Sequence, residues 1–278
     1  MTLAPSPQII PLALFQPKQL NFMKRNISIF IIAILLATIG STGANAQEEK
    51  KEQLWYCIEE TVKPEMWEQY VILSKEIIDI CKENSFSFPF YTWIGQSMVY
   101  ELWTPIESLN DIEKIEEEWT RIWDIMGEEK KTEFDATKLN NYSKTCTIRD
   151  DMAYIPENPN YSMEVPTYNR WIEVYLKPGS QKAFEEDVTW INDRRKEHDF
   201  GVSCRFAEGG IGYDAPSYIV LYAHDSLAKY MEYEISTSDT YKKDFQEYLS
   251  KIRQLMVRPG KISNYNLLWE LSFNPVGQ

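Results

Sequence analysis

Ile58-Glu59-Glu60-Thr61-Val62-Lys63-Pro64 is restated 114 positions later as Ile172-Glu173-Val174-Tyr175-Leu176-Lys177-Pro178. In the second copy Ile172, Val174 and Leu176 fall on one side, and Trp171, Glu173 and Tyr175 on the other. That period of two is the signature of a half-buried β-strand, stopped here by Lys-Pro. Further echoes follow in order: Tyr100-Glu101-Leu102 with Tyr218-Ile219-Val220, Ser108-Leu109 with Ser226-Leu227, and Asn160-Tyr161 with Asn264-Tyr265. Self-similarity decides architecture ahead of any single element. The chain states one supersecondary unit twice.

Outward from each repeated strand the same order of elements can be read. Pro178-Gly179 ends the strand and Ser180 stands at the cap of a helix whose Phe184, Val188 and Ile191 recur at i, i+4, i+7, the stripe of a helix lying on a sheet. The first-half equivalent carries Met66, Tyr70, Leu73, Ile77 and Cys81. Two strands follow: Phe88 to Ile94 then Val99 to Trp103, and Val202 to Ala207 then Tyr218 to Tyr222. Gly95-Gln96-Ser97 joins the first pair, and a glycine-bearing loop from Glu208 to Ser217 joins the second. Ser108 with Asp111 opens a second helix in a capping-box spacing, striped by Ile112, Ile115, Trp119, Ile122, Trp123 and Met126. This helix breaks at Gly127, and its counterpart at Ser236-Thr237-Ser238, before a further stripe of Tyr241, Phe245, Tyr248, Ile252 and Leu255. Pro156 and Pro259 are read as stops before the last strand of each half.

A βαββαβ order is the ferredoxin-like pattern. Its sheet carries both helices on one face and needs cover on the other, so the expected fold is α+β: two tandem ferredoxin-like repeats closing an intrachain, pseudo-dimeric α/β barrel. The expected boundaries are 1–46 for an N-terminal extension and signal segment, 47–160 for the first repeat and 161–278 for the second, joined through the proline- and asparagine-rich stretch 156–169.

Met23, Lys24 and Arg25 precede an apolar run from Ile27 to Ile39, and Ala44-Asn45-Ala46 precedes Gln47. A basic start, a short apolar stretch and an A-x-A end read as a secretory signal cleaved after Ala46. The run is shorter than the roughly 20 residues of a membrane span, so no membrane association is expected after cleavage. Residues 1–22 lie outside that signal, which makes Met23 the expected start. The protein is therefore expected to be exported, periplasmic or secreted.

The net charge is −13, and residues 1–46 hold Lys18, Lys24 and Arg25 but no acid, so the remainder is more acidic still. Such a surface repels phosphate backbones, and nucleic acid is not an expected partner. Cys57, Cys81, Cys146 and Cys204 do not repeat between halves. An even number in an exported chain permits disulfides, with Cys57 and Cys81 open as a pair or as free thiols. No cysteine has metal-ligand spacing and only His198 and His224 are present, so neither a metal nor another cofactor is expected. Both histidines read as surface residues, His198 in the polar last turn of a helix.

The Ile-Glu-x-x-[Val/Leu]-Lys-Pro strand ends, the Tyr-x-[Leu/Val] third strands and the interrupted second helices resemble the dimeric α/β barrel superfamily. Within it the chain is similar to the NIPSNAP-like and antibiotic-biosynthesis-monooxygenase-like proteins, over nearly all of 54–273. The resemblance implies the fold, and a range of activities that includes cofactor-independent oxygenases, isomerases, haem enzymes and proteins without assigned chemistry.

The strand parity places Glu173, and with it Glu59, on the face turned to the opposing sheet. Two carboxylates sharing a desolvated chamber could supply a general base; alternatively they pair with Arg205 or lysines, or reach solvent. Trp171, Tyr175, Tyr91, Trp93 and Arg205 are the expected ligand-binding lining, apolar with a few polar groups. Three functions stay open: binding of a small, partly aromatic molecule between the sheets, cofactor-independent oxygenation or isomerisation using Glu59 or Glu173, and a filled barrel that binds a protein partner.

Overall fold

The alternating strands and striped helices assemble in the computed structural model as β1 (Gln53–Val62), α1 (Trp67–Glu83), β2 (Tyr91–Gly95), β3 (Val99–Ile106), α2 (Asn110–Met126), α3 (Glu128–Ala136) and β4 (Lys138–Ile148). There follow β5 (Tyr168–Tyr175), α4 (Gln181–Glu197), β6 (Cys204–Gly209), β7 (Ser217–His224), α5 (Leu227–Ser236), α6 (Asp239–Leu255) and β8 (Ile262–Leu267). The structure describes residues 52–157 and 168–275. The signal segment, most of the expected junction and Asn160-Tyr161 lie outside the described residues.

All eight strands close into one antiparallel barrel in the order β1-β3-β2-β8-β5-β7-β6-β4. Closure gives every strand a neighbour on both sides, although β4 meets β6 only through Cys146–Ile148. Within it β4, β1, β3 and β2 are contiguous, as are β8, β5, β7 and β6, and the pairs β2–β8 and β4–β6 join the two groups. The fold is therefore α+β with a closed eight-stranded antiparallel barrel.

The helical stripes bury in part as read, with Ile112, Trp119, Trp123, Phe245 and Leu255 half-buried and Met66 just before α1. Tyr70, Leu73, Ile77 and Cys81 of α1 and Ile115, Ile122 and Met126 of α2 are buried, as are Phe184, Val188 and Ile191 of α4 and Tyr241, Tyr248 and Ile252 of α6. Gly127, at φ +90°, separates α2 from α3. Ser226 and Ser238 cap α5 and α6, accepting from the backbone N–H of Lys229 and Tyr241. Asp111 reaches back to the N–H groups of Glu107 and Ser108 at 3.0 Å each, one half of the capping box. Ser180 holds the cap position of α4 without a side-chain cap bond.

One element departs from the sequence reading. The last strand of the first group is β4, at Lys138–Ile148, and not a segment beyond Pro156. Its residues 139–143 are exposed although all but Leu139, which stands at a register shift, pair with β1, so no apolar alternation betrays them. Asn264-Tyr265 therefore has its topological counterpart in β4 and not in Asn160-Tyr161. Tyr265 pairs with Asn169 on β5, while Cys146 pairs with Trp55 on β1.

The barrel relies on close backbone approaches at the β5–β8 edge. A Cβ on Gly260 would lie 2.0 Å from the Glu173 carbonyl oxygen, in a segment fixed by the Glu173 N–H bond to the Lys261 carbonyl at 2.8 Å. Gly260→Ala is expected to cost about 2–3 kcal/mol through forced strand displacement. Urea unfolding measures this, and a loss below half that size would show that the strand moves freely.

Candidate functional site

The barrel interior is packed with side chains from both groups of strands. Cys57, Trp103, Cys146, Trp171, Ala207, Ile219 and Tyr265 form one buried cluster. Trp171 stacks on Tyr265 with ring centres 4.0 Å apart and meets Trp103 at 5.0 Å and Trp93 at 5.9 Å. Trp171 and Trp93 thus stand inward as read, as parts of an aromatic core. Contrary to the expectation of an open chamber between the sheets, these rings occupy the axis.

Glu59 and Glu173 are both held in ion pairs. Lys144 on β4 donates to Glu59 at 2.9 Å and to Glu101 at 2.9 Å. Glu101 is only 1% exposed and also faces the Trp103 indole N–H at 3.3 Å and the Tyr265 hydroxyl at 3.5 Å. One ammonium cannot fully compensate two carboxylates. Burial lifts the Glu101 pKa to about 7, with Glu59 adding to the rise and Lys144 opposing it. Burial also acts to raise Glu59, but Lys144 outweighs it and holds Glu59 below the usual carboxylate range. Glu173 accepts from the Tyr175 hydroxyl and lies 3.9 Å from Lys261, and the Arg258 guanidinium lies 3.9 Å over the Tyr175 ring. Tyr91 packs near Trp55 and Trp269. Arg205 is exposed on β6 and does not enter the interior. Its place near the strand's start lets the guanidinium keep its hydration, whereas burial unpaired would be expensive. The expected constellation is therefore split among a core stack, a buried ion triad and the rim.

A cavity lies instead on the opposite face of the first group of strands, between the sheet and its helices, with a volume of about 310 Å³. Tyr56, Ile58 and Glu60 of β1 and Leu102 of β3 form its floor, under Tyr70 and Ser74 of α1 and Trp119 and Trp123 of α2. Phe134 of α3 and Lys138 at the start of β4 close one end. These positions come from local patterning: the even-numbered residues of β1 face the helices, and the α1 and α2 stripes face back.

The polar groups of this cavity form two hydrogen-bonded sets. The Glu60 carboxylate, 5% exposed, accepts from the Tyr70 hydroxyl at 2.7 Å and from Lys138 Nζ at 3.1 Å. Lys138 also reaches Asp135 at 2.8 Å and sits 4.4 Å above the Phe134 ring. Tyr56 donates to Glu116 Oε1 at 2.5 Å. Burial, reinforced by the neighbouring carboxylates, pushes both phenols above their ordinary range, so they remain donors at neutral pH. Glu60 keeps acceptor capacity beyond these two bonds, since the two carboxyl oxygens carry about four lone-pair sites. The site can thus hold a flat apolar body against Trp119, Trp123 and Phe134 and accept a hydroxyl at Glu60.

On the matching face of the second group the centre of the layer is filled, and a second cavity of about 520 Å³ lies toward the β5–β8 side, lined by Ile172, Glu173, Val174, Leu249, Ile252 and Met256. Arg195 is fully buried, donating to Asn192 at 2.6 Å, Tyr222 at 2.8 Å and Tyr241 at 3.3 Å. Glu60 pairs across to Tyr100 on β3 as Val174 pairs to Tyr218 on β7, so an acid in one group stands where the other has valine. That mismatch within the repeated motif was the available sequence signal for Glu60.

His198 lies 3.3 Å from Asp244. His224, read as a surface residue, is buried at the end of β7 against the Tyr230 ring, 4.8 Å between centres. Burial lowers its pKa to about 4. Neither histidine lines the cavity, so the haem of some barrel enzymes would find no imidazole ligand there. Among the described residues no group of three or more His, Cys, Asp or Glu is placed to hold a metal ion. No described helix is long and apolar enough to cross a membrane.

No family model matches the sequence, and no curated protein matches it. Solved structures do. An anthrone oxidase-like protein aligns over 79% of this chain and 92% of its own, with 14% identity and a TM-score of 0.55. A variant of chlorite dismutase from Candidatus Nitrospira defluvii aligns over 80% and 94%, with 12% identity and a TM-score of 0.46. At these identities the likeness concerns the fold alone, and the fold is that of the dimeric α/β barrel proteins.

Proposed function

We propose that this protein binds a small, planar, hydroxylated aromatic molecule in the helix–sheet cavity, with Glu60 accepting the ligand's hydroxyl. The observation that carries this reading is a buried carboxylate, held by Tyr70 and Lys138, at the wall of an aromatic void of about 310 Å³. That volume matches the lower end of small-molecule sites, which combine apolar walls with few polar groups. Stacking on the indoles supplies affinity, and the carboxylate supplies orientation.

Titration with 2-naphthol and with anthrone, read by tryptophan fluorescence, tests the proposal. Saturable quenching is expected, because Trp119 and Trp123 line the site. Glu60→Gln should weaken 2-naphthol binding by about 10- to 100-fold, the worth of a hydrogen bond to a charged acceptor. Absence of saturable quenching, or equal affinity in the variant, would remove the cavity from consideration.

A second reading, oxygenation without a cofactor, follows from the same carboxylate. Glu60 would take a proton from an activated ring carbon or hydroxyl, leaving an electron-rich anion that dioxygen oxidises. For anthrone the balance is one dioxygen consumed, anthraquinone and one water formed. The fold shared with an anthrone oxidase-like protein makes anthrone the first substrate to try. Oxygen uptake that depends on Glu60 supports this reading, and binding without uptake leaves the first.

We further infer that the two groups of strands are tandem ferredoxin-like copies, 47–160 and 161–278. The identical internal orders β4-β1-β3-β2 and β8-β5-β7-β6 support this. Export through the segment from Met23 to Ala46 is part of the same proposal.

A further inference from the structure

Cys57 on β1 and Cys146 on β4 both point into the barrel, are fully buried, and hold their sulfurs 3.8 Å apart. Cys81 packs in the first helix–sheet core and Cys204 in the second, on the outer side of the sheet. All four are free thiols. The sequence left a Cys57–Cys81 pair open; the barrel wall now stands between those two.

We propose that Cys57 and Cys146 are a disulfide site, which when oxidised staples β1 to β4 beside the β4–β6 seam. The argument is geometric. The strands are hydrogen-bonded neighbours along their whole length, and both side chains lie on one face. Cys57 stands opposite Lys144, and Cys146 opposite Trp55, so the thiols are diagonal neighbours. Bringing the sulfurs from 3.8 Å to the roughly 2.05 Å of a bond takes a rotamer change and a small strand shift. A diagonal bridge carries strain, and strained bridges are the more readily reduced ones.

Oxidation by oxidised glutathione proceeds by exchange. The Cys57 thiolate attacks one glutathione sulfur and expels a glutathione thiolate. The Cys146 thiolate then attacks the Cys57 sulfur of the mixed disulfide and expels the second. Two electrons pass from the protein dithiol to the glutathione disulfide, and two protons are released. Burial holds the Cys57 thiol well above its ordinary range, with Cys146 adding to the rise. Exchange therefore belongs to the folding chain, before the interior closes.

The test is to refold the purified protein in a glutathione redox buffer and in excess dithiothreitol. The expected oxidised product has lost two hydrogen atoms by intact mass and yields a peptide linking Cys57 to Cys146. Its melting temperature should exceed that of the reduced form by on the order of 5 °C, the low end for a disulfide in a chain this size. Cys81→Ser and Cys204→Ser should keep the linkage, and Cys146→Ser should lose it. The comparison of oxidised with reduced wild type stands even where a serine variant folds badly. Four alkylatable thiols after oxidative refolding, or a linkage through Cys81 or Cys204, would overturn the proposal.

Discussion

Lys144→Met is expected to destabilise the protein by about 3–5 kcal/mol at pH 7.5, the cost of leaving buried charge without its partner. Lys144 is the cation shared by Glu59 and Glu101 at 2.9 Å each, and the total stability of a domain is only about 5–15 kcal/mol. The loss should shrink toward pH 4.5, because both carboxylates can then protonate instead of repelling.

Wild type should show a related pH dependence. Glu101 holds its proton up to about 7 when folded, against a usual value of 4.5. The native state binds more protons than the unfolded state in that window, so stability falls as pH rises through it. The contribution is full below about pH 4.5 and gone above about pH 7, on the order of 3 kcal/mol in all. Glu59 acts oppositely: its lowered folded value adds stability above the usual carboxylate value and loses it as pH falls further. His224, its pKa lowered to about 4 by burial, adds stability as pH rises over much of the same window. Glu101 is therefore read from urea unfolding of wild type and Glu101→Gln at pH 5, 6, 7 and 8, the stability of wild type relative to the variant falling as pH rises. A difference between wild type and Glu101→Gln that stays constant across that range, together with a Lys144→Met cost below 1 kcal/mol, would mean that the triad is hydrated and weak.

Ser74→Phe should abolish aromatic binding while leaving the fold intact. Ser74 sits on α1 over the floor made by Ile58 and Glu60, so an added ring projects into the void. Filling it leaves less than the several hundred Å³ that small-molecule sites use, and affinity for 2-naphthol should fall at least 100-fold. Packing the void should raise stability by about 0.5–2 kcal/mol, the usual gain from cavity filling. Leu102→Trp approaches the same void from β3 and covers the case in which α1 rejects the larger ring. Fluorescence titration with circular dichroism melting reads both effects. Unchanged binding in the two variants would place the ligand elsewhere.

In the second group of strands the centre of the corresponding layer is filled, and the cavity there is displaced toward β8. Val174, Phe184 and Val188 are buried there, and Arg195 is closed in by the Tyr222 and Tyr241 hydroxyls. Glu60, Tyr70 and Ser74 occupy the related positions of the first group, 114 residues earlier.

The sequence by itself determined the α+β class, the order of strands and helices except β4, the buried stripes, and the inward parity of Glu59, Glu173 and Trp171. Each is a short-range property: side chains alternate at period two in strands and recur near 3.6 in helices, whatever lies beyond. Only the tertiary structure decided that Lys144 would pair with Glu59, that Trp171 and Tyr265 would pack together inside the barrel, and that a cavity would open on the helix side at Glu60. Those outcomes depend on contacts between residues far apart in the chain, such as Trp171 with Tyr265 and Glu60 with Lys138. β4 stayed hidden because its exposed stretch is stabilised by ladder hydrogen bonds to β1 and carries no apolar pattern of its own.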